Sequence, residues 1–503
     1  MMIKERKKNL FMMLSAVIGT VTILSGLVLN PTNHYINAIL LILSAIILYF
    51  LIVFCVADKN WLDIRAIFTG TWLGTIGLAA LRLTEYQEVW QKKTWILLSI
   101  SYLAFQIGAQ FGINYGEKIF TKIKNCASKL NSGKIYFSLN ENRLFVLALV
   151  TSLIGVACFV VSVAIKGFIP CFSNDPFAYI NFYTKFHIFS VAATMSSGLC
   201  YYCIKTQPIS LLKKVILWIC IFYHVVLFPI MVVSRGVFVT AALTFTAIVF
   251  YLNKKRFVAL LLCISMIGGV YIFTSSLRNL ADDQLNNLFQ PIEIELPGSD
   301  KDDKHNSSDK DDEHNDSDKD DDNDSSNKHN DLDTDSNKKE PTFMLSPKMA
   351  FLYGYFTVGH DNFNEAVQNL DEYTWGTRSL APFNVILRSE AFSEVSASVD
   401  TYFVRPYLNT NNILGTFYYD FHEYGVIIAM LILAFLIGAL QVCYEKFKSV
   451  FILLILGNTM QIGILNFFEN FTARFEFWMF LGVILIFIIA SCINIKRKNI
   501  KTE

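Results

Sequence analysis

Residues 425–443 read GVIIAMLILAFLIGALQVC, nineteen positions without one charge. At ~1.5 Å of rise per helical residue, such a run reaches across the ~30 Å hydrocarbon core of a bilayer. Backbone groups in that core find no water, so the run must be a helix that satisfies them internally. Working outward, the same reading finds twelve candidate spans, near 9–29, 36–57, 66–83, 94–115, 144–165, 187–204, 214–233, 236–252, 257–275, 425–443, 449–468 and 475–495. The expected fold class is all-α: a polytopic membrane protein of about twelve transmembrane helices with a large external loop. Three parts follow: 1–275 with nine spans, an external loop 276–424, and 425–503 with three spans.

Composition agrees. Of 503 residues, 53% are hydrophobic and only 17% charged, against roughly 25% charged in a soluble domain. Soluble enzymes, secreted disulfide scaffolds and nucleic-acid binders are excluded on that ground. The net charge of +1 hides a segregation: residues 299–340 hold 15 Asp, 2 Glu and 7 Lys, a balance of −10, which leaves +11 for the rest. This acidic segment repeats as SDKDDKHNS, SDKDDEHND and SDKDDDNDS. Nothing apolar recurs in it, so it is expected to be disordered. Its piece 320–331 approaches a calcium loop through Asp320, Asp322, Asp324 and Asp331, but Ser325 stands where the turn glycine belongs. It reads as a solvated spacer, and neither a metal nor a cofactor is expected.

Short loops rich in Lys and Arg stay in the cytoplasm. Such clusters lie at 4–8, in the loop 116–143, at Lys213-Lys214, at Lys254-Lys255-Arg256, at Lys446 with Lys448, and at Lys496-Arg497-Lys498. With twelve spans and the N-terminus inside, every cluster falls on the cytoplasmic side. The expected location is the cytoplasmic (inner) membrane, multi-pass, with both termini cytoplasmic.

Seven arginines run against that bias and fall on the outer side: Arg82, Arg235, Arg278, Arg378, Arg388, Arg405 and Arg474. A guanidinium is a planar fork that grips phosphate bidentately. Arg235 sits in Ser234-Arg235-Gly236 between two apolar runs, which places its head near the outer membrane boundary. Snorkelling to the headgroups and anchoring a lipid-borne anion both fit that position. Arg474 has Glu469 nearby in sequence, so pairing within the chain fits it as well. The loop also carries Tyr353, Tyr355, Trp375, Tyr402, Tyr418 and Tyr419, rings with polar handles that suit sugar faces. His360 and His422 are its histidines outside the acidic repeat. Zinc-ligand spacing, phosphate loops and a nucleophile elbow are missing from the sequence, which removes support from ATP-driven transport and serine hydrolysis.

Several motifs resemble the Wzy-type oligosaccharide repeat-unit polymerases of the O-antigen polymerase and ligase group. They are Ser234-Arg235-Gly236, the Trp375-Gly376-Thr377-Arg378 region followed by Pro382, and the stretch from Asn409 through Asn411-Asn412 to Asp420-Phe421, leading into Gly425. The architecture, many spans with one large external loop late in the chain, is similar too. Where family members carry Asp-Phe-Gly, this chain has Asp420-Phe421-His422-Glu423-Tyr424-Gly425, and Asn411-Asn412 stand where the ligases carry His-Asn.

The resemblance implies glycosyl transfer on the external face of the membrane: a glycan leaves polyprenyl diphosphate for a hydroxyl of the next lipid-linked repeat unit. Fixed guanidiniums stabilise a departing diphosphate without a metal. Arg235, Arg378 and Arg405 are the expected diphosphate-binding residues, with Arg278 and Arg388 in reserve. The proton of the acceptor hydroxyl falls to His422, His360, Asp420 or Glu423. Implied partners are the lipid-linked oligosaccharide, membrane lipids, a chain-length regulator and a flippase, with no nucleic acid. A glycan ligase and a non-enzymatic lipid-oligosaccharide flippase or transporter remain alternatives.

Overall fold

The computed structural model describes residues 2–84, 86–130, 135–137, 141–173, 178–277, 345, 347–405 and 408–495. The acidic repeat and Arg278 lie outside these residues. Helices dominate. In chain order they are α1 (Met2–Leu24), α2 (Gly26–Thr32), α3 (His34–Leu51), α4 (Ile64–Ala80), α5 (Lys92–Leu130), α6 (Glu141–Lys166), α7 (Ala178–Asn181), α8 (Lys185–Ala193), α9 (Ser196–Thr206), α10 (Leu211–Phe222), α11 (Phe228–Val232), α12 (Arg235–Leu252), α13 (Arg256–Leu277), α14 (Pro347–Asn369), α15 (Ala381–Leu387), α16 (Glu390–Ala397), α17 (Ile413–Phe447), α18 (Val450–Ile464) and α19 (Phe475–Cys492). A short antiparallel ribbon joins β1 (Ile135–Phe137) to β2 (Ile493–Ile495).

Among the described residues six helical stretches are long and apolar enough to cross a membrane: Arg6–Thr32, His34–Val56, Lys92–Lys122, Asn142–Lys166, Leu211–Val232 and Ile413–Phe447. Shorter apolar helices fill five more of the expected positions, Ile64–Ala80, Gly236–Leu252, Arg256–Ser265, Val450–Ile464 and Phe475–Ser491. The outer surface of the bundle is greasy, with Leu10, Val28, Ile47 and Leu211 all exposed. In water such a surface would aggregate; against lipid tails it costs nothing. The protein is an all-helical, membrane-embedded chain. The expected span 187–204 departs from the pattern: it is two short helices, α8 and α9, separated at Thr194–Met195. Thr194 turns its hydroxyl back to Val191 O at 2.7 Å, a local bond that competes with the helical ladder.

The helices gather their ends on two faces. On one, Lys8 pairs with Asp58 and Lys446 with Glu117, while Gln441 donates to Asp63 at 3.1 Å. The starts of α1 and α4 and the ends of α5 and α17 therefore meet there, at the lysine-rich end. The opposite face collects the end of α4, the start of α5, and residues 345–424. Arg82 donates to Asn30 O at 3.2 Å, Trp90 and Gln87 donate to Asp361, and Lys93 pairs with Glu423 at 2.6 Å. We call these the basic face and the arginine face.

The tightest crossing is between α5 and α17. Gly108, Gly112 and Gly116 recur every fourth residue, and a Cβ at Gly108 or Gly112 would overlap the backbone of Leu431 or Phe435. Gly438 answers from the other side against Ala109. Small residues at this period let two helix backbones touch, which is how helices associate where lipid removes the hydrophobic driving force.

Candidate functional site

Helix α14 lies at the arginine face and carries four consecutive-turn polar residues, His360, Asp361, Asn362 and Asn364, all buried. Each has a specific partner. Asn412 Nδ2 donates to His360 Nδ1 at 3.1 Å, which leaves the proton on Nε2, facing Thr75 Oγ1 at 2.9 Å. Asp361 accepts from Trp90 Nε1 at 2.8 Å and Gln87 Nε2 at 3.0 Å. Asn362 donates to the carbonyls of Leu408 and Thr410 and accepts from Val404 N, and Asn364 accepts from Thr94 Oγ1 at 2.8 Å. Buried polar groups demand partners, and here they clamp residues 347–412 onto α4 and α5. Burial pushes His360 down to about 3 and Asp361 up to about 7. His360 is thus a neutral strut whose two ring nitrogens are both occupied.

The two loop motifs interlock. Asp420 is fully buried; its carboxylate accepts from Thr374 Oγ1 at 2.6 Å, Arg378 N at 3.1 Å and Ser379 N at 2.9 Å. The turn it grips has positive φ at Trp375 (50°) and Gly376 (87°). Glycine is needed at 376, because a Cβ there would also sit 3.3 Å from the Phe421 ring. Arg378 lies 3.9 Å from the centre of the Tyr419 ring and donates to Val399 O at 2.7 Å. Burial lowers its pKa from the ordinary arginine value. Asp420 and Arg378, expected on opposite sides of a reaction, are brought together as a fastening of the loop.

Asn412 caps α17, accepting from Leu414 N at 3.0 Å and Gly415 N at 3.2 Å. Nine residues on, the helix breaks: Phe421 and His422 leave helical geometry, His422 with φ at 48°. The break turns the His422 ring onto Tyr418 (centroids 4.9 Å apart, 10° between planes) and Tyr373 (4.1 Å). Its Nε2 is buried with no hydrogen-bond partner, and Glu423 beside it is held by Lys93. Arg388 and Arg405 are both exposed. Arg388 closes α15 with φ at 50°, and α15 packs on α19 through Phe383 and Trp478, 4.9 Å apart.

Ser234-Arg235-Gly236 opens α12. Val233 takes φ at 54°, Ser234 caps the helix by accepting from Val237 N at 3.4 Å, and Arg235 is its first residue. The Arg235 side chain lies outside the described residues. Gly236 faces Arg474: a Cβ added there would stand 3.4 Å from Arg474 Nη1. Arg474 pairs with Glu469, as the sequence allowed, yet its Nε is buried with no hydrogen-bond partner. Burial alone would lower its pKa; Glu469 and, behind it, Glu476 and Tyr183 together raise it.

Two cavities meet at this guanidinium. One, of about 350 Å³, is bounded by Tyr183, His187, Ser234, Gln461, Arg474 and Glu476. The other, of about 290 Å³, is apolar and rich in rings, with Tyr355, Phe356, Phe467, Phe468 and Phe471. Gly236, Phe471 and Arg474 border both. A cation between a chamber of mixed lining, where Val191, Val237, Phe477 and Phe480 stand beside the polar groups, and an aromatic slot suits an anion that carries a greasy tail. Sequence reasoning missed His187 and Glu476 here. The run Phe467-Phe468-x-x-Phe471 just before Arg474 was the signal for the slot.

No family model, curated protein or solved structure matches this chain.

Proposed function

We propose that the chain polymerises polyprenyl-diphosphate-linked oligosaccharide repeat units, in O-antigen, capsular or exopolysaccharide assembly, at the external face of the cytoplasmic membrane. In this reading it crosses the bilayer twelve times with both termini inside, and the arginine face is outside. The observation that carries the reading is the placing of Arg474, beside Ser234-Arg235-Gly236, between the mixed-lined chamber and the ring-lined slot. The diphosphate lies at Arg474 and Arg235, the isoprenoid in the slot, and the sugars in the chamber. As the anomeric C–O bond breaks, charge builds on the leaving diphosphate, and a guanidinium already in place stabilises it without reorganising. The anomeric carbon gains oxocarbenium character. The acceptor hydroxyl attacks it and passes its proton to Glu476 or His187, which line the chamber; His422, with a free Nε2, is the remaining base from the original set. Arg378 and Asp420 hold the loop in register for this chemistry.

The test is incubation of the purified chain with a lipid-linked repeat unit and separation of the products on a gel. A ladder of lengths is expected, lost in Arg235→Ala and Arg474→Ala while Arg474→Lys retains part of it. Wild-type ladders from both Ala variants would overturn the assignment. Transfer of a finished glycan to a different acceptor would favour a ligase, and movement of intact lipid-linked units between leaflets a flippase.

A further inference from the structure

A separate groove of about 330 Å³ opens at the basic face where α9, α10, α12 and α13 meet. Its inner part is apolar, running along Val258 and Cys263 of α13. Its mouth carries Lys255 and Asn253, with Tyr201 on the floor and Trp218 on one wall, 5.9 Å from Tyr201 and half exposed. Lys205 extends over the Tyr201 ring at 5.5 Å. Asn253 Nδ2 donates to the Tyr201 oxygen and to Val249 O, both at 2.6 Å, which fixes the mouth of the groove from within the chain. Among the described residues no carboxylate pairs with Lys205 or Lys255. Lys213, Lys214, Lys254 and Arg256 follow closely in sequence and add to the positive charge of this corner.

We propose that this groove is a binding site for one anionic phospholipid of the leaflet on the basic face. Its phosphate sits at Lys255 and Lys205, and an acyl chain lies along α13 beneath Trp218. Charge complementarity selects this occupant: an unpaired cationic mouth over an apolar trough matches an anionic headgroup with its chain, and a ring at headgroup depth is the usual boundary marker. The proposal does not depend on the catalytic reading, since the groove lies at the opposite end of α12 from Ser234-Arg235-Gly236.

The full-length protein in non-ionic detergent, titrated with phosphatidylglycerol and separately with phosphatidylcholine, tests it by native mass spectrometry. Phosphatidylglycerol is expected to stay bound about 30-fold more tightly. A lysine near an anionic surface is worth roughly fivefold in affinity, so Lys205→Gln with Lys255→Gln should weaken phosphatidylglycerol about 30-fold and leave phosphatidylcholine unchanged. Trp218→Ala should weaken both lipids, while Lys118→Gln should change neither. Equal binding of the two lipids by the wild type would overturn the proposal. So would undiminished phosphatidylglycerol binding by the double variant, or displacement of the lipid by millimolar inorganic phosphate alone. Both lysines are exposed, so the variants are expected to fold.

Discussion

Arg65 on the basic face is buried and Arg474 on the arginine face half-buried, and the two guanidiniums are used differently. Arg65 is satisfied at every nitrogen: Nε and Nη2 grip Asp63 at 2.9 and 2.7 Å, and Nη1 donates to Gln110 at 2.6 Å. Asp63 in turn accepts from Gln441. Arg474 has one carboxylate partner and a buried Nε with nothing to donate to. The cavity beside Arg65 is the larger, about 640 Å³ against about 350 Å³. Size therefore does not identify the site. A closed set of hydrogen bonds marks a structural joint, whereas a guanidinium with a single carboxylate partner bordering two cavities is the one we propose as the place for an anion.

Four experiments press on that contrast. Arg65→Met strands the buried Asp63 carboxylate and should cost about 3–5 kcal/mol, read as loss of folded protein from the membrane or a collapse in thermal unfolding temperature. Unchanged stability would make the joint dispensable. Arg474→Ala should fold and lose polymer-forming rate by about 100-fold or more, the usual effect of removing one fixed donor to a developing anion. A rate within a fewfold of wild type would put Arg474 with Arg65, as a joint.

Asp361 offers a pH test. Its folded pKa of about 7 lies above the ordinary 3.8 because burial penalises the charged form. The native state thus prefers the protonated acid, so the stability it contributes is present below about pH 4 and lost as pH rises through about 7. A shift of this size corresponds to a few kcal/mol at most. Thermal unfolding of the wild type should fall across that window relative to Asp361→Asn, and parallel profiles would refute the assignment. The smallest effect is expected from Thr374→Val, which removes one bond to Asp420 and should cost about 1–3 kcal/mol. Trypsin cleavage after Arg378 should quicken severalfold while the membrane helices stay protected.

The helices were legible because hydrophobic runs of membrane length leave few alternatives. Lys8, Lys118 and Lys446, from three of the clusters expected in the cytoplasm, gather at one end of the bundle. The break at Thr194–Met195 was only faintly legible: Thr194, Ser196, Ser197 and Gly198 cluster there, yet the run as a whole is hydrophobic enough to read as one span, and packing reveals two pieces. The candidate site was half legible. Ser234-Arg235-Gly236 and Arg474 were singled out from sequence, yet 238 positions separate Gly236 from Arg474 and nothing in a linear pattern joins them. His360, Asp420 and Arg378 drew attention as chemistry-bearing residue types in a polar loop. Their partners, Thr75 and Asn412, Thr374, and Tyr419, come from elsewhere in the chain and give each a structural task.

Sequence alone determined that this chain is helical, lies in a membrane and is polarised between a lysine end and an arginine end, because transfer of apolar runs and placement of charges are local, additive energies. Tertiary structure alone decided which buried polar groups are satisfied and which are left over. Hydrogen bonding is a matter of ångström distances between remote segments, so only the folded chain distinguishes a fastened arginine from a waiting one.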